Sequence, residues 1–290
     1  MKFKAKCPAS IGELIQGKIY GKELLVSCPI REYSIAEIEI CKNHGIKPDY
    51  EKIYKAFEVF INRCNLKGIS HEDIKVTIQS NLPRGKGMAS STADIGAGLA
   101  ALSYLMDYSL SEEDIASIAI DVEPTDSIVF SQLTLFDHLH GKHIEKMGAV
   151  PPMEFLVLEG RETVDTMTFR KDSSYINLVA NLDREYENLN KAIKQNDIGL
   201  LAKVCTASAF ANQKLLYKPY LEELFDIAMD CGALGINAAH SGSVSGVLIG
   251  NETNREKLLF SIQKNFGEYF EKIYFIHTTQ GGTQIVKSLR

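Results

Sequence analysis

The sequence predicts an α+β protein of two lobes, residues 1–150 and 151–290. Strand-like alternation and helix-like apolar stripes both occur on each side of residue 150. Pro151-Pro152 marks a break between the halves and is followed by a fresh apolar strand at 155–158. Within the first half, a glycine-rich loop at 82–93 lies between a strand pattern and a helix pattern.

Taken in order, the first 40 residues read as β structure with glycine-containing turns. Residues 34–40 alternate, with Ala36, Ile38 and Ile40 on one face. A helix is expected over 50–64, where Ile53, Phe57, Phe60 and Ile61 form a stripe. Residues 74–78 alternate as a strand, and 93–106 are rich in Ala, Leu and Gly, as a buried helix is. Ser111 stands three residues before Asp114 and should cap a helix running to Ile120. Residues 121–143 carry few regular signals. In the second half, helices are expected at 175–194, 196–212, 220–231 and 254–266. Short strands are expected within 236–249, at 274–277 and at 283–286.

Composition narrows the function. The chain has 290 residues, 45% of them hydrophobic and 24% charged, which is the balance of an ordinary globular protein. A net charge of −5 without any basic run argues against nucleic acid as the main partner. No apolar stretch approaches the ~20 residues that span a membrane, and the N-terminus lacks the apolar centre of a signal peptide. Six scattered cysteines without a C-x-x-C pair read as reduced packing thiols, and the seven histidines show no metal-ligand spacing. A cytoplasmic location is expected.

Four clusters carry the chemistry. In the first, Leu82-Pro-Arg-Gly-Lys-Gly-Met-Ala-Ser-Ser-Thr-Ala93, a strand leads through small residues into a helix N-terminus. Free N–H groups and the helix dipole favour an anion there, and Gly85 and Gly87 let the backbone come close to it. The string is neither a Walker A loop nor a dinucleotide fingerprint, so a plain helix cap is the competing reading. The second is Asp121-Val-Glu-Pro-Thr-Asp-Ser127. One of the carboxylates Glu123 and Asp126 could hold Mg²⁺ and the other take a proton from a hydroxyl, or the segment could be a solvated turn. The third is Gly235-Ile-Asn-Ala-Ala-His-Ser-Gly-Ser-Val-Ser-Gly246, small enough to pass close to a ligand or to make a tight turn. The fourth is Cys7-Pro-Ala-Ser-Ile-Gly-Glu-Leu-Ile-Gln-Gly17, with Ser10, Glu13 and Gln16 among Gly and Pro.

Together and in this order, the clusters resemble the GHMP kinases. Pro83 to Ala93 is similar to that family's phosphate loop, P-x-G-x-G-L-G-S-S-x-A, and 237–246 is similar to its third motif. The Cys7-to-Gly17 string, with Glu-Pro-Thr-Asp-Ser and Leu133-Thr-Leu-Phe-Asp-His138, resembles the branch of L-threonine kinases tied to cobalamin synthesis and propanediol utilisation. The resemblance implies an N-terminal lobe like domain 2 of ribosomal protein S5 and a ferredoxin-like C-terminal lobe. ATP would lie between them, with Mg²⁺, and a small hydroxylated molecule would be the acceptor. By position, Pro83, Arg84, Gly85, Lys86, Gly87, Met88, Ala89, Ser90 and Ser91 would bind ATP. Ser91 and Glu123 would hold Mg²⁺, and Asp126 would act as base. Ser10, Glu13, Ser241 and Gly242 would meet the substrate, Glu13 being the candidate partner for an ammonium group. The acceptor would be L-threonine; homoserine or another small hydroxylated metabolite as acceptor, or a non-catalytic nucleotide-binding regulator, are the alternatives. Ala89 replaces the usual Gly and should have φ below zero. Met88 stands for Leu, a close match in volume. Lys86 either reaches a phosphate oxygen or is solvated. Thr92 reads as a plain helix residue.

Overall fold

A computed structural model describes residues 2–163 and 178–286. The chain opens with a long antiparallel hairpin, β1 (Lys2–Ile19) and β2 (Lys22–Ile40). Ile19 pairs with Lys22, so the turn is the two residues Tyr20 and Gly21, with φ of 50° and 77°. Two left-handed residues in a two-residue loop match the right-handed twist of the strands. Ala36 and Ile38 are fully buried, as alternation predicted, whereas Ile40 at the strand's end is exposed.

Helix α1 (Glu51–Arg63) buries the Ile53, Phe57, Phe60 and Ile61 stripe. Strand β3 (Ile74–Gln79) pairs with β2. Helix α2 (Ser90–Leu105) begins three residues earlier than expected, which takes Ser90, Ser91 and Thr92 into its first turn. It is enclosed by β1, β2, α1 and the helix that follows it, and its small residues permit that. A Cβ on Gly98 would press on Ile53 and Phe57, and one on Gly96 on the Cys7 thiol. Helix α3 (Glu112–Val122) starts at the expected cap, where the Ser111 hydroxyl and Asp114 carboxylate satisfy each other's backbone N–H groups. The irregular stretch that follows contains β4 (Leu133–Phe136), and β5 (Ile144–Gly148) pairs with it. The first sheet runs β1-β2-β4-β5, with β3 also on β2.

The second half builds a four-stranded sheet of order β7-β8-β6-β9. Its elements are β6 (Glu154–Gly160), helices α4 (Asp183–Gln195), α5 (Ile198–Ala211) and α6 (Leu221–Asp230), then β7 (Gly235–Ala238), β8 (Ser245–Ile249), α7 (Arg255–Phe266) and β9 (Phe270–His277). This antiparallel order is the ferredoxin-like arrangement. The expected start of the fourth helix, Tyr175, lies outside the described residues. The short β10 (Gln284–Val286) then leaves this sheet and pairs with β1, Lys4 opposite Val286. Helix α5 packs on both β7 and β1, so the two sheets share one wall. No described helix is long and apolar enough to cross a membrane.

Candidate active site

The glycine loop connects β3 to α2. Gly85 and Gly87 both adopt left-handed backbone, with φ of 72° and 81°. Ala89 does too, at 55°, contrary to the negative φ expected of a residue with a Cβ. A left-handed step is needed to turn the loop into α2, where Ala89 occupies the cap position and its carbonyl accepts from Ala93 N–H at 2.9 Å. Burial of the methyl group holds that conformation. For an L-residue it costs about 1–2 kcal/mol. Ala89→Gly is therefore expected to raise the unfolding free energy by about 1 kcal/mol, seen as a higher urea midpoint. An unchanged midpoint would show that Ala89 is not strained.

No side chain caps α2. Its first turn borders a cavity of about 260 Å³ lined on this side by Gly85, Gly87, Met88, Ala89, Ser90, Ser91 and Thr92. Opposite stand Glu123, Pro124, Thr125 and Asp126, in the turn that follows α3. Several bonds fix that turn. Thr125 N–H donates to the His138 carbonyl at 3.0 Å, and its hydroxyl donates to the Glu123 carbonyl at 3.0 Å. Ser27 and Ser127 exchange bonds, each backbone N–H donating to the other's hydroxyl, at 2.9 and 3.1 Å.

Two hydroxyl–carboxylate pairs then meet over the helix N-terminus. The Ser91 hydroxyl donates to one oxygen of Glu123, whose other oxygen is 2.6 Å from the Lys52 ammonium. Thr92 Oγ1 accepts from Asp126 N–H at 3.2 Å and donates to Asp126 Oδ2 at 3.3 Å. Thr92, read from sequence as a plain helix residue, bonds both the backbone and the carboxylate of Asp126. A serine hydroxyl and a carboxylate, with a cation already drawn to that carboxylate, make a hard-oxygen donor set that suits Mg²⁺.

The cavity is completed by Glu13 and Gln16 of β1, Leu25, His138, and Ser241 from the second lobe. His138 Nε2 lies 3.6 Å from Glu23 Oε1. Behind Glu13 is a buried polar layer. His240 N–H donates to Glu13 Oε2 at 3.0 Å, and the Lys218 ammonium donates to the Ala239 carbonyl at 2.8 Å. Burial pulls Lys218 down to about 8, with Glu13 acting in the opposite sense. Burial and the neighbouring Lys218 charge pull His240 down to about 3, so its ring is neutral at pH 7. Ser208 Oγ accepts from Gln16 N–H at 3.1 Å and shares a hydrogen bond with His240 Nε2, also at 3.1 Å. A second cavity of about 260 Å³ adjoins the first through Lys52, Gly85, Ser90 and Ser91, and extends past Tyr50, Arg84 and Asp94.

Four expected site residues have other surroundings. The Lys86 side chain is buried and ion-paired with Glu271 of β9, and it lines neither cavity. Gly242 packs against the Lys86–Gly87 peptide, with no room for a Cβ. Ser10 is fully buried; its hydroxyl donates to the Gly12 carbonyl at 2.8 Å and shapes a bulge of β1. Pro83 lines neither cavity. Conversely, Lys52 and His138 line the main cavity without having been singled out. The Leu-Thr-Leu-Phe-Asp-His string was a signal for His138; nothing in the sequence pointed from Lys52 to Glu123.

Comparison with known proteins agrees with this geometry. The family profile described as GHMP kinases N terminal domain matches residues 51–131, and that described as GHMP kinases C terminal matches 189–268. An L-threonine kinase of Citrobacter freundii is 34% identical over 288 residues, covering 97% of this chain and 99% of that protein. An L-threonine kinase of Salmonella typhimurium is also 34% identical, covering 97% and 95%. The crystal structure of mevalonate diphosphate decarboxylase from Staphylococcus aureus shares the fold, with a TM-score of 0.75 at 14% identity, covering 99% of this chain and 98% of that one.

Proposed function

The chain belongs to the GHMP kinase family, and on that premise we propose that it transfers the γ-phosphoryl group of ATP to the side-chain hydroxyl of L-threonine, yielding O-phospho-L-threonine and ADP. The observation that carries the reading is the paired arrangement Ser91–Glu123 and Thr92–Asp126 around one uncapped helix N-terminus. Phosphoryl transfer asks a protein for positioning and charge neutralisation more than for covalent chemistry. Threonine as the acceptor is supported by near full-length likeness to two L-threonine kinases.

In this reading the lobe of residues 1–150 grips the nucleotide. The N–H groups of Ser90, Ser91 and Thr92 receive phosphate oxygens, with Gly85 and Gly87 allowing close approach. Ser91 and Glu123 would hold Mg²⁺, which when bound neutralises charge on the triphosphate. Glu13 receives the ammonium group of the amino acid beneath Ser241. Asp126, held by Thr92, accepts the proton of the threonine hydroxyl as its oxygen bonds to the γ-phosphorus and the bond to the bridging oxygen of ADP breaks. We assign the product to cobalamin assembly on the sequence resemblance alone.

Release of ADP from ATP and Mg²⁺ with a panel of threonine, serine, homoserine and mevalonate tests the reading. Threonine should give the highest kcat/KM. A larger value for homoserine would move the acceptor assignment. Nucleotide binding without ADP release from any acceptor would make the protein a regulator.

A further inference from the structure

We propose that Lys52 is a positioning residue that holds Glu123 in the free protein and passes to the triphosphate when Mg²⁺·ATP arrives. The proposal rests on the ATP reading above and goes beyond it. Lys52 is the second residue of α1 and is distant in sequence from the glycine loop and from Glu123. Its ammonium nevertheless stands 2.6 Å from Glu123 Oε2, while Ser91 occupies the other oxygen. Both oxygens of the proposed metal carboxylate are thus engaged before any metal binds.

A Mg²⁺ ion would contact a carboxylate oxygen at roughly 2.0–2.1 Å. An ammonium group kept on the same oxygen would then lie within about 4 Å of a divalent cation. A carboxylate has lone pairs for both, but the dication repels the ammonium and loosens its hold, and Lys52 is the one able to leave. Its side chain is 59% exposed, and an exposed ion pair contributes little to stability. Its destination is set by its place at the junction of the two cavities, shared with Gly85, Ser90 and Ser91. Those are the residues whose backbone would cradle phosphate. Among the described residues lining the main cavity, Lys52 is the only Lys or Arg. Lys86 is committed to Glu271, and Arg84 lines only the adjoining cavity. The flexible four-carbon stem therefore supplies a point charge that the loop does not place in the main cavity.

Two ligand titrations on Lys52→Met and Lys52→Arg test the idea, with thermal unfolding as a check that an exposed substitution leaves the fold intact. Mn²⁺ binding without nucleotide, followed by electron paramagnetic resonance, should tighten in Lys52→Met because a competitor for Glu123 is gone. Binding of a fluorescent N-methylanthraniloyl-ATP with Mg²⁺ should weaken roughly tenfold in Lys52→Met, the worth of a charge-assisted contact, and recover in Lys52→Arg. Nucleotide affinity within about twofold of wild type in Lys52→Met would overturn the proposal, whether or not Mn²⁺ binding changes. Unchanged Mn²⁺ binding would overturn the competition half of it. Wild-type protein that binds no nucleotide would instead defeat the ATP reading itself.

Discussion

Gly87→Ala is expected to abolish useful turnover and to destabilise the fold together. Gly87 has φ of 81°, and a Cβ there would collide with the Ala239 methyl and come within 3.1 Å of Gly242 Cα. Ala239 and Gly242 belong to the second lobe's loop, whose Val244 N–H donates to the Lys86 carbonyl at 2.9 Å. The added methyl must either push that loop away or move the phosphate grip. Backbone strain and overpacking together should cost about 3 kcal/mol, and the displaced loop should lower kcat/KM by ~10² or more. Gly21→Ala is the control. Its φ is 77°, but nothing lies within 4 Å of the added Cβ. That variant should lose only about 1 kcal/mol and keep its activity. Urea unfolding and ADP release on both variants decide the matter; equal effects would mean that strain alone, not the contact between lobes, makes Gly87 necessary.

Asp126→Asn is expected to leave ATP binding nearly intact and to lower kcat by ~10² or more, the usual worth of a positioned base. The amide keeps the shape and the backbone bond to Thr92 but cannot take a proton. Thr92→Val should show a milder loss of the same kind, because it removes both bonds between Thr92 and Asp126 while leaving the carboxylate in place. Single-turnover rates with saturating ATP and threonine separate the chemical step from binding. An Asp126→Asn rate close to wild type would remove Asp126 from the proton transfer.

Much of this arrangement could be read from the chain. The helix from Ser111, the loop before α2 and the Glu123-to-Asp126 turn are set by local rules, such as capping, glycine conformations and proline, which act over a few residues. What could not be read depends on partners far away in sequence. β4 is only four residues long and buried throughout, so alternation gives it no signature. Lys86 looked like a phosphate ligand because its neighbours are loop glycines, yet its partner Glu271 is 185 positions away. Lys52 was invisible for the same reason, its carboxylate lying 71 positions further on. Ala89 departs from the local rule itself: tertiary packing holds a methyl-bearing residue in a conformation that propensity disfavours.

The contact between the glycine loop and the second lobe also bears on how acceptor preference can diverge. Ala239, Gly242, Val244 and Glu271 all meet the short stretch from Lys86 to Gly87. A homologous second lobe grafted onto this first one would have to match all four at once or lose the phosphate grip. Replacing single side chains that line the main cavity, such as Gln16 or Ser241, asks for no such match. The architecture thus favours new substrates arising by point changes within an intact chain over recombination of halves.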